Sequence, residues 1–245
     1  MRTCTVESGD AYSLAYDVVG SGSAVVLVPG FMMDRTWWHT AGYVERLSSQ
    51  FTVISIDPLG HGDSDRPHDP DAYGDARLVD HVVRVLDAED VERCYLWGSS
   101  RGGTMASLAT RAHPERVDLA VLGSAPAAGS SFPDEAVDAL QAGDWEPFFA
   151  LLREAIDPST LEAFAAANDA RAMGAILKAR GSARWHRFEV PVVGYVGDGE
   201  PVRHQVREDA HRLAFPMAVL PTGGHMETFT TIDPPMALVS PFLTP

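Results

Sequence analysis

The sequence predicts an α/β fold in which a mostly parallel sheet carries helices on both faces. Continuous apolar runs such as Ala24–Val28 favour strands that are buried on both sides, as parallel strands are. Helix-forming stretches alternate with these runs, which is typical of a parallel sheet with helical crossovers. A chain of 245 residues is long enough for one full core. We therefore expect a single domain over residues 1–245.

The first half of the chain is predicted to open with an antiparallel hairpin and then to alternate strands with helices. Two segments of alternating polarity flank the turn residues Ser8-Gly9-Asp10, which favours the hairpin. The predicted elements are a hairpin of residues 3–7 and 12–18, a strand at Ala24–Val28, a helix over 37–49, a strand over 51–56, a turn-rich loop over 59–73 and a helix over 78–86.

The second half continues this alternation around a helical insertion. Residues 124–189 are rich in alanine and helix formers, are broken by Pro and Gly, and contain no strand pattern. We expect them to form a small lid over the carboxyl ends of the strands, where such sheets bind ligands. The other predicted elements are strands over 94–97, 117–122, 190–196 and Met217–Leu220, a helix that includes 104–109, a helix over 202–213 and a C-terminal helix.

The composition is typical of a globular protein and disfavours several kinds of partner. The formal net charge of −15 argues against nucleic acid or an anionic membrane as the main partner. The two cysteines, Cys4 and Cys94, fit no metal or redox spacing. We find no signal-peptide core at the N-terminus and no apolar run long enough to span a membrane. We expect a cytoplasmic protein that is a monomer or a homodimer.

The stretch from Gly98 to Gly102 reads G-x-S-x-G in the setting that a nucleophilic serine requires. An apolar, strand-like run precedes it and a small-residue helical segment follows it. This context raises the middle serine, Ser100, above the sheet on a strained turn. Gly98, Gly102 and Gly103 allow the turn and the helix to pack closely. Because no G-K-[ST] follows the glycines, a phosphate-binding loop is disfavoured and Ser100 is expected to be a nucleophile.

The candidate base and acid lie in the loops after the last two predicted strands. A serine nucleophile needs a base, and the base needs a carboxylate that orients it. His225 follows Gly223-Gly224 after the last strand and is the best base among nine histidines. Asp198 and Glu200 both lie in the loop after the preceding strand. Both satisfy the chain order of nucleophile, acid and base, so the residues by themselves leave the acid open.

These motifs, from Val28-Pro29-Gly30 through the elbow to Gly224-His225, resemble those of the α/β-hydrolase superfamily over essentially the whole chain. More narrowly, the sequence is similar to small, single-domain serine esterases and lactonase-like members. In such proteins the acid commonly takes the last position of a G-x-x-D pattern after the penultimate strand, which is Glu200 here. The resemblance therefore favours Glu200 over Asp198, although Asp is the more usual residue at this position.

The Asp- and His-rich stretch 57–71 resembles a structural turn of the same superfamily, D-x-x-G-x-G-x-S. Its spacing is neither that of an EF-hand nor that of a zinc site. The resemblance implies no cofactor. We therefore expect neither a metal nor a cofactor.

Backbone amides near Ser100 are expected to bind the oxyanion of a tetrahedral intermediate. Arg101, the residue after the nucleophile, supplies one donor. Phe31, in the loop after Ala24–Val28, supplies the second, with Met32 as the alternative. The Arg101 side chain either contacts a substrate carboxylate or pairs with solvent or a neighbouring acid. Aromatic residues and methionines near this loop and in the lid predict an apolar pocket. Its candidate residues are Met32, Trp37, Trp145, Phe148 and Trp185.

Together these features predict a serine hydrolase that cleaves a carboxylic ester or a lactone through an acyl-enzyme intermediate. The expected substrate is a small, apolar, ester-like molecule. Serine at the elbow argues against the dehalogenase and epoxide-hydrolase branches of the resemblance, which use a carboxylate nucleophile. Cleavage of a C–C bond in a β-diketone-like substrate, or acyl transfer, would use the same three side chains and stays open. A ligand-binding protein without catalysis also stays open, because fold alone does not determine function.

Overall fold

The computed structural model describes residues 1–127, 132–179 and 186–244 and confirms the predicted fold class. The strands are β1 (Arg2–Glu7), β2 (Ser13–Gly20), β3 (Ala24–Val28), β4 (Thr52–Ile56), β5 (Cys94–Ser99), β6 (Val117–Gly123), β7 (Val192–Gly197) and β8 (Met217–Leu220). In the described residues they form one sheet in the order β1-β2-β4-β3-β5-β6-β7-β8. The six strands from β3 to β8 run parallel, whereas β1 and β2 are antiparallel to their neighbours.

Helices cover both faces of the sheet. In chain order they are α1 (Thr36–Thr40), α2 (Tyr43–Leu47), α3 (Asp75–Ala88), α4 (Arg101–Ala112), α5 (Asp134–Ala142), α6 (Glu146–Leu152), α7 (Pro158–Ala167), α8 (Ala170–Lys178), α9 (Arg203–Leu213), α10 (His225–Thr230) and α11 (Asp233–Val239). One face buries side chains of α3, α4 and α9, and the other buries side chains of α1, α2, α10 and α11. None of the described helices is long and apolar enough to cross a membrane.

Two helices that the sequence predicts as continuous are broken in the structure. The predicted helix over 37–49 consists of α1 and α2, because Gly42 between them takes a left-handed conformation with φ of +86°. The predicted C-terminal helix consists of α10 and α11. α11 begins at Asp233 with Pro234 and Pro235 in its first turn, and a proline has no N–H to continue the hydrogen-bond ladder of a preceding helix. Both predictions of a single helix are therefore wrong.

Helices α5 to α8 lie between β6 and β7, within the predicted insertion 124–189. The described part of this insertion contains no strand. Its apolar side chains, such as Phe148 and Ile176, join one buried cluster with Met32, Leu59 and Tyr73 of the main body. Because Met32 and Leu59 follow the carboxyl ends of β3 and β4, the insertion packs over that edge of the sheet. Its action as a lid stays a prediction.

A buried charge cluster ties the loops after β3 and β4 to β2. The Arg35 side chain is only 9% exposed, and its Nε lies 3.1 Å from Oδ2 of Asp17. Its Nη1 donates to Asp57, and its Nη2 donates to Asp63 at 2.8 Å. The backbone N–H groups of Arg35 and Asp63 also donate to the Asp57 carboxylate, at 2.7 and 2.8 Å. One guanidinium thus contacts three carboxylates, one from β2 and two from the loop after β4.

Arg35→Gln is expected to lower the free energy of unfolding by about 3 kcal/mol, because it leaves the buried carboxylates of Asp17 and Asp57 without their counter-charge. Urea unfolding followed by tryptophan fluorescence measures this loss. Arg46→Gln is the matched control. The side chains of Arg46 and its partner Asp233 are 53% and 80% exposed, and an exposed pair contributes under about 1 kcal/mol. Equal small losses in both variants would contradict a stabilising role for the cluster.

Candidate active site

Ser100 occupies the tight turn between β5 and α4, at the carboxyl end of the sheet. Its φ of 53° and ψ of −121° are rare for a residue with a side chain and cost about 1–3 kcal/mol. The Ser100 N–H donates to the carbonyl oxygen of Gly123 at 2.7 Å. A Cβ atom at Gly102 would collide with the carbonyl oxygens of Val28 and Pro29, so only glycine allows α4 to approach β3 this closely. The strand, strained serine and helix have the arrangement of a nucleophile elbow.

Glu200 and His225 are joined by a hydrogen bond of 2.6 Å between Oε2 and Nδ1. The Glu200 side chain is fully buried, whereas that of His225 is 41% exposed. The other carboxylate oxygen of Glu200 accepts the Ser124 hydroxyl and, at 2.9 Å, the Gly197 N–H. Burial by itself raises the pKa of Glu200, but the hydrogen bonds with His225, Ser124 and Gly197 together hold that pKa below its ordinary value. The carboxylate is therefore ionised at neutral pH. Because it binds Nδ1 of His225, the other ring nitrogen, Nε2, remains available for a proton transfer.

Asp198, the alternative acid, instead stabilises the loop after β8. Its side chain is exposed, and its Oδ1 accepts the Gly223 N–H at 2.9 Å. This is the turn-capping role that a carboxylate without a catalytic role would have. Of the two carboxylates, the structure places Glu200 against His225.

Ser100 and His225 lie at the same edge of the sheet, after the carboxyl ends of β5 and β8. No hydrogen bond joins these two described side chains. In proteins without bound substrate such bonds are often long, and they tighten when substrate binds. His225 is the first residue of α10, not a loop residue as the sequence predicts. The helix begins there because the Glu227 carboxylate accepts the Gly224 N–H at 2.7 Å.

The loop after β3 approaches the nucleophile closely. A Cβ atom at Gly30 would lie 3.4 Å from Cβ of Ser100. Two residues further, Met32 takes a φ of +64°, and its N–H donates to Nε2 of His61 at 3.1 Å. The Met32 amide is therefore already bonded, whereas the Phe31 amide has no acceptor among the described residues. The N–H of Arg101, in the first turn of α4, likewise has no intrahelical acceptor.

Three side chains that the sequence patterns did not indicate hold Met32 and Glu200 in place. His61 Nδ1 lies 3.2 Å from the carbonyl oxygen of Leu59, so the proton is on Nδ1 and Nε2 is free to accept the Met32 N–H. Asn168 donates to the Met32 carbonyl oxygen at 3.0 Å. Ser124 donates to Glu200, as described above. Ser124 could have been found from its place after a predicted strand, but Asn168 and Met32 are 136 residues apart and share no motif.

Aromatic side chains of the insertion pack against the loop after β3. The rings of Phe31 and Phe148 meet edge to face, with centroids 6.0 Å apart. Trp37 packs on Phe164 of α7 at 5.9 Å. Trp185 lies outside the described residues, so its place in a pocket stays a prediction. The other four predicted pocket residues belong to one apolar cluster: Met32, Trp37, Trp145 and Phe148.

Comparison with known sequences identifies a family. The family model of the alpha/beta hydrolase fold matches residues 23–177, which is more than half of the chain. The 2-hydroxymuconate semialdehyde hydrolase of Pseudomonas sp. (strain CF600) is 38% identical over 141 residues, which are 56% of this chain and 48% of that protein. The pimeloyl-[acyl-carrier protein] methyl ester esterase of Aeromonas hydrophila is 33% identical over 115 residues, which are 46% of this chain and 42% of that protein. The chain thus matches less than half the length of each of these two relatives.

Solved structures match over nearly the whole chain. Est816, described as an N-acyl homoserine lactone degrading enzyme, has a TM-score of 0.82 and 25% identity and covers 98% of this chain and 100% of its own. The bottromycin epimerase BotH has a TM-score of 0.84 over 100% of both chains. At 23% identity, BotH is evidence of the fold alone. These matches confirm the predicted architecture, and the epimerase illustrates that one architecture hosts different reactions.

The stability contributed by His61 is expected to depend on pH. Burial lowers the pKa of His61 to about 4, although its hydrogen bond to Leu59 opposes this effect. This folded-state pKa lies below the value of about 6.5 in an unfolded chain, so the contribution is complete above pH 6.5 and is lost as the pH falls towards 4. His61→Gln should be about 1 kcal/mol less stable than the parent at pH 7, through the lost hydrogen bond. Between pH 7 and pH 5 the difference should shift by about 2 kcal/mol in favour of the variant.

Urea unfolding at both pH values measures this difference. His204→Gln is the control, because the His204 side chain is 85% exposed. A His61→Gln difference that does not change with pH would mean that His61 is not held neutral by burial.

Proposed function

Since the chain belongs to the α/β-hydrolase family, we propose that it is a serine hydrolase that cleaves a carboxylic ester or a lactone through an acyl-enzyme intermediate. The observation that carries the proposal is the buried hydrogen bond of Glu200 to His225, at the sheet edge where Ser100 is held in a strained turn. An ionised carboxylate that orients a partly exposed imidazole is what a serine nucleophile requires. The names of the matched methyl ester esterase and the lactone-degrading enzyme support ester and lactone substrates.

In this proposal the Ser100 hydroxyl attacks the acyl carbon while Nε2 of His225 accepts its proton. Glu200 holds the ring in the tautomer with the proton on Nδ1 and stabilises the imidazolium. The amides of Phe31 and Arg101 donate to the oxyanion of the tetrahedral intermediate. His225 then protonates the leaving alcohol. In the second step the same nitrogen accepts a proton from water, which hydrolyses the acyl-enzyme and restores Ser100. The aromatic side chains of the insertion hold the apolar part of the substrate.

A C–C bond hydrolase is the second candidate. The observation in its favour is the match to a hydrolase named for 2-hydroxymuconate semialdehyde, a name that contains no ester. The same three side chains would serve that reaction. Turnover of simple esters favours the first candidate, and turnover of β-diketone-like substrates without ester turnover favours the second.

Ser100 is expected to react covalently with a fluorophosphonate probe. Intact-mass measurement should give one adduct on the parent and none on Ser100→Ala, because the adduct forms on the nucleophile. His225→Ala should also lose labelling, because the serine then has no base to accept its proton. If a folded parent protein is neither labelled nor able to hydrolyse p-nitrophenyl acetate, the proposal fails and a ligand-binding protein becomes the better explanation.

Replacing each carboxylate by its amide separates the two candidate acids. Glu200→Gln should lower kcat/KM for p-nitrophenyl acetate by about 10²- to 10⁴-fold, because an amide cannot stabilise the imidazolium. Asp198→Asn is the matched control and should lower it by less than about tenfold, since Asp198 only accepts the Gly223 N–H. Circular dichroism checks that both variants fold. A larger loss in Asp198→Asn than in Glu200→Gln would assign the acid to Asp198.

A further inference from the structure

Arg101 directly follows the nucleophile in the chain, and its half-buried side chain carries a positive charge. Its Nη2 is shielded from solvent and has no hydrogen-bond acceptor. Within the ranges that the structure describes, no salt bridge joins this guanidinium to a carboxylate. By contrast, the buried Arg35 lies against three carboxylates. The Asp75 charge lies near the guanidinium but forms no salt bridge with it among the described residues, and shielding part of a cation without a bonded counter-charge is costly. The position therefore favours an anion that arrives with a ligand.

The backbone at this position has the same electrostatic preference. Arg101 is the first residue of α4, a helix of 12 residues. The amino end of a helix carries partial positive charge and attracts anions, so a cation there is unfavourable for the helix itself. Helix stability therefore does not explain the arginine. The guanidinium and the helix end favour the same thing, a negative group beside Ser100.

The guanidinium lies near the loop that approaches Ser100. Its charge acts on His61 and Tyr73, and the His61 ring packs against Phe31 with centroids 6.1 Å apart. Burial lowers the pKa of Arg101 to about 10, while the nearby Asp75 carboxylate and Tyr73 phenol oppose this effect. The side chain therefore stays positive at neutral pH. It lies beside the apolar cluster in which the body of a substrate would be held.

We propose that the Arg101 guanidinium binds a carboxylate on the substrate, so that the preferred ester or lactone is an anion with an apolar body. The inference rests on the proposed function, because Arg101 selects a substrate only if Ser100 attacks it. A guanidinium binds a carboxylate through two parallel hydrogen bonds, which would also orient the acyl group towards the nucleophile. The net charge of −15 repels anions from the protein as a whole, so a preference for an anionic substrate requires a local positive group.

Two pairs of esters test the proposal, each pair comparing a carboxylate with its neutral amide. Mono-p-nitrophenyl glutarate and p-nitrophenyl glutaramate carry the group on the acyl side. Acetoxybenzoate and acetoxybenzamide, both 4-substituted, carry it on the alcohol side. The ratio of kcat/KM for the carboxylate to that for the amide is measured within each pair. Any disturbance of the Arg101 backbone amide affects both members of a pair, so the ratio reports the guanidinium.

The parent protein is expected to prefer the carboxylate in at least one pair, and Arg101→Gln should lower that ratio by about 10- to 100-fold. Arg101→Lys should retain part of the preference, because it keeps the charge and loses the paired hydrogen bonds. Arg46→Gln removes the same charge at an exposed site and should leave the ratio unchanged.

Two outcomes would overturn the proposal while leaving the hydrolase function intact. In one, the parent hydrolyses the neutral amides but prefers no carboxylate in either pair, a result that needs no variant to fold. In the other, Arg101→Gln hydrolyses the esters with the same ratio as the parent. If the parent hydrolyses no ester and takes no fluorophosphonate label, the proposed function fails, and this inference fails with it.

Discussion

The close approach of α4 to β3 around Ser100 constrains the whole candidate site. Because a glycine at position 102 allows this approach, the helix begins directly after the serine and its first turn lies against the end of β3. β5 lies between β3 and β6 in the sheet, so the loops of these two neighbours flank the turn. The loop after β3 contains the Phe31 amide, and the loop after β6 contains Ser124. The strain at Ser100 is therefore held by backbone packing on both sides.

The strand order then assigns one part of the candidate site to each successive strand. β5, β6, β7 and β8 are parallel neighbours, and their carboxyl ends carry Ser100, Ser124, Glu200 and His225 in that order. Hydrogen bonds link Ser124 to Glu200 and Glu200 to His225, so the buried carboxylate is fixed from both sides. A network of this kind restricts the rotation of the imidazole, which is the main task of a triad acid.

Two guanidiniums near this edge, one buried and one half-buried, have opposite environments. Arg35 lies within a cluster of carboxylates that come from β2 and from the loop after β4, and its energetic effect is to hold these segments together. Arg101, the residue after the nucleophile, has a shielded Nη2 without an acceptor among the described residues. A fold tolerates the free-energy cost of such a shielded cation at a position where a bound ligand offsets it. The insertion is coupled to the same region, because Asn168 at the end of α7 binds the Met32 carbonyl oxygen.

The sequence by itself determined the fold class, most of the strands and the elbow at Ser100. These features depend on patterns within about ten neighbouring residues, namely apolar runs, breakers and the glycines around the serine. The breaks at Gly42 and before Pro234 were visible as residues, but whether a glycine or a proline ends a helix depends on the packing around it.

Only the tertiary structure decided which carboxylate meets His225. Asp198 and Glu200 are two residues apart in one loop. The resemblance to the family favours Glu200, but the residues themselves leave the acid open until one is buried beside Ser124 and the other faces solvent. The hydrogen bond from the Met32 amide to His61 likewise depends on residues far apart in the chain. The same holds for the lack of an acceptor at Nη2 of Arg101 among the described residues. Such contacts follow from how separate segments pack, and a single sequence records the segments without their packing.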